Sequence, residues 1–231
     1  MKLNHPILVS AAAVLGLSLP VIAGAQVHVT ATHRETGPYV GALVGYSSID
    51  VGLTEWNSAL AKLPVPSGST ITSSSVSKGD FAWGVNAGYQ VMENFAVEIG
   101  YLDLGKTKGD VTGTIGGAPA TGRGDIKSSG VEGALIGIWP FENGWQVDAR
   151  VGLYYGDNKV QLNGSTGTGS ASYENSGNKS TFLGGVGFGY NFYDNYQVRF
   201  DYVYIDKIGD AGKLGFTAPV DLFSVGFRYS F

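Results

Sequence analysis

The chain has 231 residues, of which 36 are glycine, 12% are aromatic and 15% are charged, with no cysteine and a formal net charge of −4. The low charge is unusual for a soluble globular protein, and the glycines lack the Gly-X-Y period of collagen. The aromatic content disfavours a disordered chain, the missing cysteines exclude disulfides and thiolate metal sites, and the acidic balance argues against a nucleic-acid binder.

Residues 1–25 have the pattern of a secretory signal peptide. Lys2 is followed by an apolar stretch from Ile7 to Leu19, by Pro20 and by the small-residue sequence Ala23-Gly24-Ala25. The apolar stretch is shorter than the roughly 20 residues that a transmembrane helix needs. We therefore expect export, cleavage after Ala25, a short periplasmic tail over residues 26–37 and a folded domain over residues 38–231.

Eight segments of the exported chain predict β-strands. Seven of them alternate apolar with small or polar residues, so that each strand has one apolar and one polar face. The fourth segment, Ser128 to Trp139, is apolar on both sides, and its facing stays open. The other seven are Val40–Ser47, Ala82–Gln90, Phe95–Leu102, Trp145–Tyr155, Thr181–Phe192, Tyr196–Tyr204 and Leu222–Phe231.

The connections between these segments alternate in length. Three are short, at 92–94, 140–144 and 193–195, and four are long and rich in Gly, Ser and Thr, at about 49–80, 105–127, 156–179 and 206–219. Short turns at one rim and long loops at the other are typical of a bacterial transmembrane β-barrel. An interfacial girdle of aromatic rings is expected beside the short turns, and six residues fit it: Tyr89, Phe95, Trp139, Trp145, Phe192 and Tyr196.

A β-sheet can span hydrocarbon only as a closed barrel, because every backbone polar group must be paired internally. We therefore predict an all-β fold, an eight-stranded antiparallel transmembrane β-barrel with short periplasmic turns and long extracellular loops. Its apolar faces point to lipid, and its glycine-rich and charged faces point into the lumen. A soluble β-sandwich or lipocalin-like barrel is the alternative, but its exposed face would be rich in charge.

Charged residues on the polar faces are predicted to lie in the lumen: Glu98, Asp148, Arg150, Arg199, Asp201 and Arg228, with Glu132 as a further candidate on the fourth strand. They line a narrow ion path on one interpretation. On the other they pair with one another and fill a plugged interior. Because unpaired charges in such an interior are strongly unfavourable, the second interpretation is preferred.

Several segments resemble the OmpA-type outer-membrane barrel: Pro38–Tyr46, Gly88–Val91 running into Val97–Tyr101, and Ser224–Phe231. The resemblance covers about Gly37 to Phe231. It implies a place in the outer membrane of a Gram-negative bacterium, contact with outer-membrane lipid and lipopolysaccharide, and a charged network in the lumen. It also implies that Phe231 is the signal for the barrel-assembly machinery, and that the peptidoglycan-binding domain of longer members is missing. The sequence departs from the family pattern at Gly187, where these barrels carry an acidic residue.

Catalysis is not expected of this chain. Some small outer-membrane barrels are hydrolases that use a histidine, but His5 leaves with the signal peptide, and His28 and His33 precede the first strand. A histidine-based catalytic pair therefore has no place at a barrel rim. We expect no cofactor and no metal.

One loop carries a candidate adhesion motif. Arg123, Gly124 and Asp125 form an RGD tripeptide at the centre of the second long loop, where it either binds a host surface or arises by chance in a glycine-rich segment. The sequence thus predicts a monomeric, non-enzymatic barrel with a role in envelope integrity and with exposed surface loops. A narrow channel for ions or small solutes and a loop-based adhesin are the alternatives.

Overall fold

A computed structural model of the chain describes residues 36–52, 70–77, 79–115, 117–166, 169–193 and 195–231. The predicted signal peptide and nearly all of the predicted tail lie outside these residues. None of the helices among the described residues has the length and apolar character needed to cross a membrane. The described strands are β1 (Gly37–Ile49), β2 (Thr70–Ser77), β3 (Gly79–Met92), β4 (Phe95–Ile115), β5 (Ala118–Pro140), β6 (Trp145–Thr166), β7 (Gly169–Phe192), β8 (Tyr196–Ile208) and β9 (Ala218–Ser230).

Eight of these strands close into an antiparallel ring, in the order β1-β3-β4-β5-β6-β7-β8-β9. The ring closes where β1 pairs with β9, from Tyr39 opposite Ser230 to Ile49 opposite Val220. Every strand of the ring therefore has a hydrogen-bonded neighbour on both sides, which is what a sheet needs in order to span hydrocarbon. The predicted eight-stranded antiparallel barrel is confirmed.

Side chains alternate between the outer wall of the ring and its lumen. On β1, Tyr46 is 55% exposed on the outer wall, whereas Leu43 is 8% exposed in the lumen. The same alternation holds on the other predicted strands. On β5, whose facing the sequence left open, Leu135 and Trp139 lie on the outer wall and Glu132 and Ile136 are buried in the lumen.

The second and third long connections are built differently from the prediction. The segments 105–127 and 156–179, predicted as loops, are mostly strand, because β4 stays paired with β5 as far as Ile115 opposite Ala118, and β6 with β7 as far as Thr166 opposite Gly169. Pairing of β5 with β6 joins both hairpins into one sheet. We call β2 and residues 106–115, 118–127, 157–166 and 169–180 of β4 to β7 the protruding sheet.

A bulge in β4 marks the base of the protruding sheet. The β3–β4 ladder ends with Trp83 opposite Asp103, and β2 takes the place of β3 beyond it. Gly105 in the bulge has φ +70°, and a Cβ there would lie 2.4 Å from the carbonyl oxygen of Phe81. Glycine is required because it alone accommodates both the left-handed backbone and the close approach.

Asparagines attach the short turns to the neighbouring strands. Asn94, in the β3–β4 turn, donates its side-chain N–H to the carbonyl of Ile138 at 2.9 Å and accepts the N–H of Ile138 at 2.8 Å. Asn195, after β7, makes the same pair of bonds with Ser230. The rim on the side of the short turns is therefore held by hydrogen bonds that continue the strand ladders.

Candidate functional site: the charged layer of the lumen

The lumen brings all six predicted charged residues together in one buried layer. Glu98 comes from β4, Asp148 and Arg150 from β6, Arg199 and Asp201 from β8, and Arg228 from β9, and each is less than a tenth exposed. The alternation of each strand points these side chains inward. Closure of the ring then places strands that are distant in sequence around one axis.

Arg199 holds two carboxylates at once. Its Nη2 donates to Asp148 Oδ1 at 2.9 Å and to Asp201 Oδ1 at 2.7 Å, and its Nε donates to Asp201 Oδ2 at 3.3 Å. The guanidinium therefore binds Asp201 through two of its nitrogens, the geometry in which arginine–carboxylate pairs are strongest.

Arg150 joins the opposite side of the layer to the same aspartate. Its Nη1 lies 3.4 Å from Glu98 Oε1 and 3.9 Å from Glu132 Oε1, and its Nη2 lies 3.6 Å from Asp201 Oδ1. Asp201 is thus shared by Arg150 and Arg199, which makes the layer a network rather than a set of separate pairs.

Arg228 and Tyr39 complete the network across the β1–β9 seam. Arg228 Nη2 lies 3.5 Å from Glu98 Oε2, and its Cζ lies 3.9 Å from the centre of the Tyr39 ring. The Tyr39 hydroxyl donates to Glu98 Oε2 at 3.0 Å. The ring face and the hydroxyl of Tyr39 therefore bind the two partners of one ion pair, one by a cation–π contact and one by a hydrogen bond.

Two members of this layer escaped the sequence analysis or were left open by it. Tyr39 was overlooked because the patterning assigns aromatic rings to the outer wall, whereas its position in β1 shares the parity of the inward-facing Leu43. Glu132 was only a candidate because its strand is apolar on both faces. The parity of its neighbours across the ladder, Gly100 on β4 and Tyr154 on β6, fixes it in the lumen.

The described part of the layer contains four carboxylates and three guanidiniums. Glu132 makes the longest of the arginine contacts, and its Oε2 has no hydrogen-bond partner. The layer therefore carries one carboxylate more than its arginines balance, and Glu132 is the least tightly held of the four.

The surroundings of Gly187 explain why glycine stands where the sequence departs from the pattern of OmpA-type barrels. It is directly opposite Asp148 on β6 and Asp201 on β8. A Cβ at this position would lie 2.4 Å from Asp201 Oδ1 and 2.7 Å from Asp148 Oδ1. The carboxylates that an acidic residue here would supply already reach this space from the two neighbouring strands.

Apolar and amide side chains flank the charged layer. A cluster of Tyr39, Ala96, Ile136 and Ile138 lies toward the short turns, together with a chain of amides in which Gln197 donates to Asn191 and Asn191 donates to Gln146. A larger apolar cluster lies toward the long connections and includes Leu43, Leu102, Leu104, Tyr154, Leu183, Leu214, Phe216 and Leu222. The described side chains thus fill the lumen above and below the charges.

Comparison with known proteins identifies the family. The family model that describes the OmpA-like transmembrane domain matches residues 33–231. The chain belongs to the OmpA-like transmembrane domain family. Outer membrane protein A of Serratia marcescens is 28% identical over 158 residues, which make up 67% of this chain and 40% of that protein. The matched part therefore spans less than half the length of this curated relative.

Two solved outer-membrane proteins are similar to this chain. Ail of Yersinia pestis is similar with 15% identity and a TM-score of 0.43, over 86% of this chain and 99% of that one. OprG of Pseudomonas aeruginosa is similar with 15% identity and a TM-score of 0.44, over 86% of this chain and 98% of that one. The OmpA-like barrel lies in the outer membrane of a Gram-negative bacterium, and its outer wall faces lipid.

The six residues of the proposed aromatic girdle all lie on the outer wall beside the short turns. Trp145 stacks on Phe188 with ring centres 4.7 Å apart, and Phe192 stacks on Tyr196 at 5.9 Å. Tyr89, Phe95 and Trp139 are exposed on the same wall. Other large exposed side chains lie on the outer wall beyond the six of the proposed girdle. One stands at each short turn: Met92, Phe141 and Tyr193. At the other end of the wall, aromatic residues lie where strands meet the long connections: Tyr46, Phe81, Tyr101, Tyr155 and Tyr204.

The RGD tripeptide lies in a strand of the OmpA-like barrel and not at the centre of a loop. Arg123, Gly124 and Asp125 are part of β5 and pair with β4 on one side and β6 on the other. The Nε of Arg123 donates to Asp110 Oδ1 at 3.0 Å. The placement as a loop was wrong because the Gly- and Thr-rich segment carries no apolar alternation by which a strand is recognised.

The terminal Phe231, metal sites and the histidines are the remaining features that the sequence raised. Phe231 is exposed at the end of β9, and its N–H donates to the carbonyl of Pro38 at 3.0 Å. Among the residues that the structure describes, no group of three or more His, Cys, Asp or Glu is arranged to hold a metal ion. His28 and His33 lie outside the described residues.

Proposed function

We propose that this OmpA-like barrel is a structural component of the outer membrane that contributes to envelope integrity and does not conduct ions. The observation that carries the proposal is the filling of the lumen. Three arginines and four carboxylates contact one another in the middle of the barrel, and apolar clusters flank them on both sides. Moving an ion through such a layer requires breaking buried ion pairs, which is strongly unfavourable.

The alternative, a narrow channel, is tested by recording currents from the purified barrel in a planar lipid bilayer. We expect no reproducible unit conductance, with a general porin measured in the same bilayer as the positive control. Reproducible channel events from the folded barrel would contradict the proposal. Events that are abolished in an Arg199→Gln barrel that still folds would assign the path to the charged layer.

The envelope role is tested by deleting the gene and challenging the cells with detergent and with EDTA. We expect greater sensitivity than in the parent strain, restored by the intact chain and equally by a chain with Asp125→Ala. Unchanged sensitivity of the deletion strain would contradict a role in envelope integrity.

We also propose that the barrel is not an enzyme. The proposal is supported by the sequence, in which the histidines of the exported chain, His28 and His33, precede β1. Incubation of the folded barrel with phospholipid and with peptide substrates is expected to give no products. Hydrolysis that persists after repeated purification and is lost in a point variant would contradict this.

An adhesin function through the RGD tripeptide is a weaker candidate. Arg123 and Asp125 both lie in a paired strand, and each forms an ion pair, with Asp110 and with Lys106. Binding of bacteria to host cells is therefore expected to be unchanged by Asp125→Ala. A clear loss of binding in this variant, with equal amounts of barrel at the surface, would favour the adhesin.

The exposed Phe231 and the closed ring support two further proposals. We propose that the barrel-assembly machinery recognises the exposed Phe231, and that the mature barrel is a monomer because the eight strands of its ring close within one chain. Phe231→Ala is expected to lower the amount of barrel in the membrane. Light scattering of the detergent-solubilised protein is expected to give the mass of one chain.

A further inference from the structure

Three lysines lie side by side on the outer wall of the protruding sheet, close to the lipid. Lys127 of β5 is directly opposite Lys106 of β4 and directly opposite Lys159 of β6. Their side chains are 51%, 45% and 47% exposed. Neighbouring strands lie about 4.8 Å apart, so the backbones of the three lysines span only about 10 Å across the wall. We call these three residues the lysine row.

The height of the lysine row above the lipid can be read along the same strands. The last large apolar or aromatic side chains on the outer wall are Tyr101 on β4, Val131 on β5 and Tyr155 on β6, four or five residues from the lysines. At about 3.3 Å per residue and a strand tilt of about 40°, the lysine backbone lies about 10 Å beyond them. The long lysine stem reaches back along the wall, so the ammonium groups can enter the headgroup layer of the outer leaflet.

The arrangement of charge around the row favours an external anion. Like charges that are directly opposite on neighbouring strands destabilise a sheet, and here two such contacts are adjacent. Each lysine has one nearby carboxylate: Nζ of Lys127 lies 3.0 Å from Asp103 Oδ2, and Lys159 and Lys106 lie 3.6 and 3.9 Å from Asp157 and Asp125.

These ion pairs leave each lysine able to bind a further acceptor. Exposed pairs contribute little to stability because water competes for both partners. An ammonium group has three N–H donors, so each lysine can keep its aspartate and still donate to a second acceptor. Phosphate oxygens are the acceptors that the headgroup layer offers in quantity, and a phosphate that touches two neighbouring lysines relieves their mutual repulsion.

We propose that Lys106, Lys127 and Lys159 bind the phosphate groups of an acylated glycolipid of the outer leaflet, the lipid A part of lipopolysaccharide. The sugar phosphates would contact the row while the acyl chains lie on the apolar wall beneath it, at Tyr101, Val131 and Tyr155. The site is continuous with the membrane-facing surface of the barrel. It goes beyond the proposed envelope role and does not depend on whether the lumen conducts.

The test compares two double variants with equal loss of charge. In K127Q/K159Q the loss falls on the lysine row. In K108Q/R123Q it falls on β4 and β5, two and four residues farther from the lipid along the same strands. Each barrel is folded in zwitterionic detergent, its fold is checked by heat-modifiable migration on a gel, and bis-phosphorylated lipid A is titrated in while binding is followed by native mass spectrometry.

We expect K127Q/K159Q to bind this lipid A about 25-fold more weakly, since a lysine near an anionic lipid surface contributes about a fivefold change in affinity. The control K108Q/R123Q is expected to change the affinity by less than about twofold. Raising the salt concentration should weaken binding to the unchanged barrel, because screened charges attract less. Equal weakening in both double variants would overturn the proposal.

Further arms separate the source of the phosphate and guard against misfolding. Dephosphorylated lipid A is expected to bind no better to the unchanged barrel than to K127Q/K159Q, and millimolar inorganic phosphate is expected not to displace lipid A. Equal binding of dephosphorylated and phosphorylated lipid A, or full displacement by inorganic phosphate, would overturn the glycolipid assignment. The charge-preserving K127R/K159R is expected to retain binding, and if it folds but loses binding the proposal fails.

Discussion

Arg199 and Glu132 are both buried in the charged layer, yet their contacts differ greatly. Arg199 donates to two carboxylates at 2.7 and 2.9 Å. Glu132 is 3.9 Å from its nearest guanidinium nitrogen and has an oxygen without a hydrogen-bond partner. Removing one partner of a tightly held buried pair leaves an uncompensated charge, whereas removing a loosely held excess charge does not.

We therefore expect Arg199→Gln to lower the free energy of unfolding by about 3–5 kcal/mol. Glu132→Gln, the matched control in the same layer, is expected to leave it unchanged or slightly raised, because four carboxylates then become three. Urea titration of the barrel in phospholipid vesicles measures both. Equal destabilisation by the two variants would mean that Glu132 is held as firmly as Arg199.

Gly187 gives a second prediction at the scale of single residues. Gly187→Ala is expected to destabilise the barrel, because its Cβ would meet carboxylate oxygens that Arg199 holds in place, and Gly187→Asp is expected to be worse because it adds a third negative charge. Gly184→Ala on the same strand is the control, since its nearest neighbour would be the carbonyl oxygen of Arg150 at 3.8 Å. Urea midpoints in vesicles rank the three variants, and a Gly187→Asp barrel as stable as the control would contradict the expected order.

The inward direction of most of the charged residues was predictable from the sequence, but their partners were not. Alternation on each strand determines the face of Glu98 or Arg199 without any knowledge of the neighbours. Which arginine meets which carboxylate depends on register and on closure of the ring, and these bring residues as distant as Glu98 and Arg228 to 3.5 Å. Tyr39 was overlooked because its ring is amphipathic and suits the lumen as well as the lipid interface.

At the scale of elements, the β8–β9 connection is organised by a single residue, Asp210. Asp210 Oδ1 accepts the N–H groups of Gly212 and Lys213 at 2.7 and 3.0 Å. The backbone carbonyl of Asp210 accepts the N–H groups of Leu214 and Gly215. The turn made in this way delivers Leu214 and, beyond it, Phe216 into the apolar cluster on the side of the long connections.

Asp210→Ala is therefore expected to loosen this turn and to speed amide hydrogen exchange over residues 209–217, while exchange at the short turns stays unchanged. The N–H groups of Lys213 and Gly212 lower the pKa of Asp210 below its ordinary value. The carboxylate then supports the turn at neutral pH, and its contribution is lost as the pH falls from about 4 through the lowered pKa. The protection factors of this segment, which correct for the slower intrinsic exchange at low pH, should fall over that range in the unchanged barrel and not in the variant.

The strands themselves were predictable only where one face meets lipid. The transmembrane parts of β1, β3, β4 and β6 to β9 alternate apolar with small or polar residues, and that of β5 is apolar on both faces. The sequence alone located all eight. The protruding sheet is polar or small on its outer face, with long runs of Gly, Ser and Thr. Its strands are defined by backbone pairing with neighbours, as for Thr112 opposite Thr121, and backbone pairing leaves no periodic signal in a single sequence.

For the molecule as a whole, the closed ring predicts a barrel that resists detergent. The unheated protein is expected to migrate faster on a detergent gel than the boiled protein, and its circular dichroism in micelles is expected to be that of a β-sheet. Among the described residues, every strand of the ring has a paired neighbour on both sides, so the ring itself offers no open edge to detergent or to aggregation. A helical spectrum, or recovery of the protein from the soluble periplasmic fraction, would contradict the barrel.

The contacts of Arg228 and Tyr39 also affect whether the first and last strands, β1 and β9, can separate from each other. Here the β1–β9 seam is crossed inside the lumen by the Arg228 guanidinium on the Tyr39 ring, and both side chains hold Glu98 on β4. Separating the two strands would turn a buried cation toward hydrocarbon. Lateral opening at this seam is therefore opposed by electrostatics as well as by the backbone ladder.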